Sequence, residues 1–143
     1  MKNKQFLLLI LMLAMSIHGL QAQSRKQKGL LKLAQQEYKN IRFAYAIPAF
    51  KQYLLLKTND TTALVQLGNC YQKVNQYDSA VKYFDLAFTA GVQYNINMAE
   101  AHATLGDYDK ANMIYKQLIA ILYNQLILKI YHLLIRCLNQ IQI

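Results

Sequence analysis

Three stretches of the chain carry one signature at nearly constant spacing, and that recurrence constrains the fold more than any other feature. The segments "RFAYAIPAF" and "QYDSAVKYF" each set an aromatic three residues before an alanine and a phenylalanine four beyond it. Phe43 and Tyr77, Ala46 and Ala80, and Phe50 and Phe84 are each 34 residues apart. A third copy, "DYDKANMIY", brings Tyr108, Ala111 and Tyr115 after 31 residues. The shortening is expected in "TAGVQYN", where Gly91 stands as a helix-ending residue. A fixed period of this size is the mark of stacked repeats.

Helix geometry gives the signature its meaning. In "ALVQLGNCYQKVNQYDSAVKYFDLAF", Leu64, Leu67, Gly68 and Tyr71 fall on one face of a helix. After a turn, Tyr77, Ala80, Phe84 and Ala87 fall on one face of a second. Gly68 and Ala80 are small where the two helices approach, and Tyr77 and Phe84 are expected to fill the space between hairpins. One hairpin cannot cover its own apolar face, so the units must stack. The expected fold is all-α: a solenoid of about three antiparallel hairpins, near 29–57, 58–92 and 94–121, within a repeat domain at 23–121. The repeat-packing set is Ala46, Phe50, Leu64, Leu67, Gly68, Tyr71, Tyr77, Ala80, Phe84, Tyr108, Ala111 and Tyr115. The first unit departs from the second, with Tyr38 five residues before Phe43 where Tyr71 is six before Tyr77. Either its turn is one residue short or its first helix is out of register.

The beginning of the chain reads as a secretory leader. Lys2 and Lys4 precede the apolar run Phe6–Ile17, and a polar exit follows, with cleavage expected after Ala22. The run is short for a bilayer span, which takes about 20 apolar residues. Export to the periplasm or envelope follows, with no integral span in the mature chain. Loss of Lys2 and Lys4 lowers the formal charge from +9 to about +7. The remaining cations are spread out, which suits a solvated face and argues against a nucleic-acid partner; weak attraction to anionic surfaces or acidic partners is the inference.

Chemistry-bearing residues form no catalytic set. The acids Glu37, Asp60, Asp78, Asp85, Glu100, Asp107 and Asp109 lie at turns or on outward faces, and Asp60 before Thr61 reads as a helix cap. No serine has a histidine in a suitable relation, and no glycine-rich phosphate loop is present. Cys70, beside Gly68 and Tyr71, is expected as a buried thiol, and nothing in the sequence sets a pairing with Cys137. His102, His132 and the cysteines lack paired metal-ligand spacing. His102 takes the place of a packing aromatic. No enzyme activity, cofactor or metal is expected.

The tail 122–143 changes character. No acid follows Asp109, and Leu, Ile, Asn, Gln and Tyr dominate. It suits a further helix pair, or one helix continuing from the third repeat. Three readings stand for it: a cap packed on the third repeat; an adhesive surface for a partner, a second copy or a membrane interface; or a sequence truncated or shifted in frame.

The pattern Leu64, Leu67, Gly68, Tyr71, Tyr77, Ala80, Phe84, Ala87 resembles the tetratricopeptide repeat position for position, with Val92 in place of its usual closing proline. The resemblance implies a concave groove, lined by the first helix of each hairpin, that holds a protein or peptide segment. Carried onto this chain, the groove positions are Leu31, Gln35 and Lys39 in the first repeat. The second contributes Thr62, Val65, Asn69, Gln72 and Lys73, and the third Glu100 with Ile96 beside it. Lys39 and Lys73 hold related places and would attract an acidic or C-terminal carboxylate group. Leu31 and Val65 stand where the carboxylate clamp of chaperone-binding members wants polarity. The opening "QAQSRKQKGLLKLAQQEYKN" with "AYAIPAF" and "LGNCYQKVNQYDSAVKYF" is also similar to the N-terminal repeat region of certain Gram-negative envelope proteins. Those continue into a β-propeller and an OmpA-like domain, and some serve type IX secretion. On that reading the chain is a stand-alone or truncated repeat module, docking by its edge or its apolar tail. The alternatives are thus an adaptor that uses its groove and a structural piece of an envelope complex.

Overall fold

A computed structural model describes residues 2–141, with side chains described across 21–137 and at Gln140. The described residues form six helices: α1 (Lys2–Lys39), α2 (Phe43–Leu56), α3 (Thr61–Lys73), α4 (Tyr77–Thr89), α5 (Ile96–Thr104) and α6 (Tyr108–Ile141). Neighbours in sequence pack as the hairpins α1–α2, α3–α4 and α5–α6, and α2 on α3 and α4 on α5 join the hairpins into one stack. The expected leader boundary at Ala22 falls within α1. The side chains of its apolar run, Phe6–Ile17, lie outside the described residues.

The core is the stripe read from the period. Ala46, Phe50, Leu67, Ala80, Phe84 and Ala111 are all at most 2% exposed, and Leu64 and Tyr71 are buried with them. Met98, Ala99, Ala101 and Ile114 extend the core into the third hairpin. Tyr77 and Tyr115 pack against this core while half-buried. The ring of Phe84 is buried in this core. It lies on Gly68 of its own hairpin, where a Cβ would stand 2.5 Å from its Cε1 atom and 2.6 Å from its Cδ1 atom. Tyr108 departs from the packing set. It is 66% exposed, because no described element lies against the outer side of α6 as α5 lies against α4.

The three intra-hairpin turns share one construction. Each first helix ends with a residue in the left-handed region: Ile41 at φ 61°, Asn75 at φ 60° and Gly106 at φ 82°. The N–H one residue further on donates five residues back: Arg42 to Glu37 at 2.9 Å, Gln76 to Tyr71 at 2.9 Å, and Asp107 to His102 at 3.0 Å. This satisfies a helix-end carbonyl that would otherwise be orphaned. Gly91, at φ 96°, ends α4 the same way, with Val92 donating to Ala87. Ile41 and Asn75 are 34 residues apart, so the first turn is not short. Glu37 stands where Tyr71 stands, and Tyr38 is the residue out of register.

Side-chain caps start three of the helices. Asp60 accepts from the Ala63 N–H at 3.1 Å, Asn95 from Met98 at 3.2 Å, and Asp107 from Lys110 at 3.2 Å.

Past Leu118 the chain continues as helix but leaves the stack. Ile119, Leu122, Tyr123 and Leu126 are between 56% and 65% exposed. The tail therefore does not pack on the third repeat as a cap. The face it would have to turn inward is polar from Gln125 onward.

Candidate functional site: the face of the first helices

The first helices α1, α3 and α5 adjoin along one side of the stack, and polar side chains join them there. Asn69 of α3 is the centre. Its amide nitrogen donates to the Tyr38 hydroxyl of α1 at 3.4 Å, and its oxygen accepts from Asn97 of α5 at 2.9 Å. One turn further along α3, Gln72 donates to Glu100 of α5 at 3.4 Å. Of the residues expected at a groove, the structure brings Asn69, Gln72 and Glu100 together. Leu31 and Val65 pack against the core and are half-buried. Gln35 is half-buried, while Thr62, Lys39 and Lys73 are exposed. Lys39 and Lys73 are the last residues of α1 and α3, in equivalent places, and neither is in an ion pair among the described residues. Ile96 is 51% exposed at the start of α5.

Tyr38 and Asn97 were not expected here. Tyr38 reaches the ladder because it is one residue out of the packing register. It also meets Phe43 edge-on at 5.6 Å between ring centres. Asn97 gave no signal beyond being an amide on a half-buried helix face.

The ends of the first helices carry a second recurring arrangement. Glu37 holds Arg42 through two bonds, Nε to Oε2 at 2.6 Å and Nη2 to Oε1 at 2.8 Å. In the third repeat His102 holds the equivalent place and meets Asp107 at 3.0 Å from its Nδ1 atom. Both pairs link the helix end to the residue five beyond, across the turn. His102 is buried, as a packing residue should be, and its Nε2 atom lies 3.6 Å from a carboxylate oxygen of Asp85. No hydrogen bond joins the two at that distance, and the buried Nε2 atom has no hydrogen-bond partner among the described residues. Beside the first pair, Leu33, Glu37, Arg42 and Tyr45 line an open depression of about 440 Å³. Leu54, Leu55, Leu64, Tyr83 and Leu86 line another of about 380 Å³ between α2 and α4.

Electrostatics at the site are mild, and the perturbed groups are structural. Burial alone would raise the Asp60 carboxyl, but the Tyr53 hydroxyl at 2.7 Å, the Ala63 N–H and Lys57 outweigh it. Its pKa lies below the ordinary carboxylate value. Burial, reinforced by Asp60, raises Tyr53. Burial pushes the Cys70 thiol up to about 12. Among the described residues, no group of three or more His, Cys, Asp or Glu side chains is placed to hold a metal ion.

Comparison with known proteins agrees with this architecture. Tetratricopeptide repeat family models match residues 63–89 and 92–121. Those two segments thus match the tetratricopeptide repeat, and they correspond to the second hairpin and to the third as far as Ile121. Three solved structures have the same fold. The tetratricopeptide domain of Arabidopsis FLU superposes with a TM-score of 0.62 at 24% identity, over 71% of this chain and 98% of that one. The second such domain of Spaghetti (RPAP3), solved with the HSP90 peptide SRMEEVD, gives 0.61 at 16% identity, over 69% and 96%. The type III secretion translocator chaperone SycD of Yersinia enterocolitica gives 0.56 at 22% identity, over 64% and 70%. No curated protein matches the chain.

Proposed function

We propose that the chain is a non-enzymatic interaction module of the bacterial envelope that holds an extended segment of a partner protein against the face of its first helices. The observation that carries the reading is the Tyr38–Asn69–Asn97 ladder with its neighbour Gln72–Glu100. These side chains are polar and mutually bonded, and all but the exposed Glu100 are half-buried, so they give a row of donors and acceptors such as a peptide backbone can meet. Lys39 and Lys73, repeated on two successive helices, favour a segment with acidic side chains or a terminal carboxylate. The peptide held in the Spaghetti structure and the chaperone role of SycD support the same use of the fold. Export rests on the charged start and the apolar run Phe6–Ile17.

Selection of a random-peptide library on the full chain tests the reading. Selected peptides should be enriched in acidic residues, and joint charge reversal, Lys39→Glu with Lys73→Glu, should weaken them by about tenfold while the helical circular dichroism is kept. Peptides indifferent to that reversal would contradict the proposed face.

A further inference from the structure

The amphipathic pattern of α6 inverts along its length. Ala111, Ile114 and Leu118 turn into the core, and Ile121 is half-buried on the same line. Continued at the same spacing of three and four residues, that line becomes Gln125, Lys129, His132 and Arg136. The apolar surface of the second half therefore lies on the side away from the repeats. Tyr123, Ile130, Tyr131 and Leu134 are each between 48% and 64% exposed. By length and composition the stretch Tyr108–Cys137 is apolar enough to cross a membrane, and none of its most apolar window is buried.

We propose that the second half of α6 lies in the plane of an anionic lipid bilayer, apolar side down, with the repeats held on the water side. Three features select this occupant. The uncovered apolar face is opposite the repeats, so a surface that covers it meets no obstruction from them. All the charged side chains beyond Asp109 are cationic (Lys110, Lys116, Lys129 and Arg136), which suits anionic headgroups. Lys129, His132 and Arg136 share one stripe, so a helix lying flat keeps all three on the water side. A spanning helix would carry Lys129 and Arg136 into hydrocarbon, which is unfavourable for a charged group.

The chain contains no tryptophan, so a single introduced one reports on its own position. Leu134→Trp and His132→Trp sit two residues apart but on opposite sides of the helix. With full-length protein and phosphatidylglycerol-containing vesicles, Leu134→Trp should shift to the blue and be quenched by acyl-chain bromolipid. His132→Trp should stay in water. Titrated by the Leu134→Trp signal, Lys129→Gln with Arg136→Gln should weaken binding about 25-fold, at roughly fivefold per basic residue. Phosphatidylcholine vesicles should bind weakly. Equal quenching at both positions would mean a span and overturn the proposal. So would silence at both, which includes adsorption through residues 1–22 alone. A blue shift at Leu134→Trp that grows with protein concentration without vesicles would assign the face to a second copy and overturn it too.

Discussion

Replacing Gly68 by alanine should destabilise the protein, although the same change at Gly29 should stabilise it. Both glycines are in helix interiors, where alanine is favoured by about 0.5–1 kcal/mol. At Gly29 nothing lies within 4 Å of the added Cβ, so that gain stands alone. At Gly68 the Cβ would meet two ring carbons of Phe84 at 2.5 and 2.6 Å. Ordinary carbon–carbon contact is about 3.5–4.0 Å, so the ring must move by about 1 Å. Phe84 is 1% exposed and has no free space to enter, so α3 and α4 must part or the ring must leave its rotamer. Overpacking of this kind costs about 1–3 kcal/mol, and the short contacts place it in the upper half of that range. The net loss at Gly68→Ala is then about 1–2 kcal/mol, a fall of roughly 4–15 °C in Tm for a domain of this size. Urea denaturation followed by far-UV circular dichroism should move the two midpoints in opposite directions. Adding Phe84→Leu to Gly68→Ala should make the pair less destabilising than the sum of the single changes. A Gly68→Ala protein as stable as the parent would refute the close approach of α3 and α4.

Ile41 is a β-branched residue at φ 61°, where its counterparts in the other turns are Asn75 and Gly106. Ile41→Gly should therefore raise stability by about 1 kcal/mol, and Asn75→Ile should lower it by a similar amount, both read from the denaturation midpoint. Asp60→Ala removes a helix cap and the partner of Tyr53, and should cost about 1–2 kcal/mol at neutral pH. Because the folded Asp60 pKa is depressed, its contribution is fully present above the unfolded value near 3.8 and is lost as the pH falls through the folded one. The gap between parent and variant should close below about pH 4, and a gap constant with pH would contradict the assigned hydrogen bonds. With its thiol held near 12 and fully buried, Cys70 should resist a thiol reagent in the native protein, while Cys137 reacts. Both should react in denaturant, and rapid native modification of two thiols would mean that the second hairpin is not packed as described.

The sequence makes the repeat legible because each hairpin must present the same faces to its neighbours. Gly68, Ala80 and Phe84 mark the contact, Gly91 the end of α4, and Asp60 the start of α3. The register of the first repeat was harder to read. Aromatic residues invite alignment of Tyr38 with Tyr71, whereas the turn fixes Ile41 on Asn75. An isoleucine is a poor advertisement for a left-handed residue. Burial of Tyr108 was expected from the period, but burial of a repeat's outer side depends on whether another element follows there. The ladder through Asn69 was half visible. Its members come from three hairpins, and their meeting depends on how far each helix slides along the next. The inversion of α6 was present in the spacing from Ala111 to Arg136, but only the packed structure shows which side of that line faces the repeats.

Hydrogen exchange on the full chain, with and without a peptide selected from the library, tests the central reading most directly. Binding against the first helices predicts added protection around Asn69 to Lys73 in α3 and around Gln35 to Lys39 in α1, with α2, α4 and the second half of α6 unchanged. Protection confined to α2 and α4, or to α6 beyond Leu122, would contradict it.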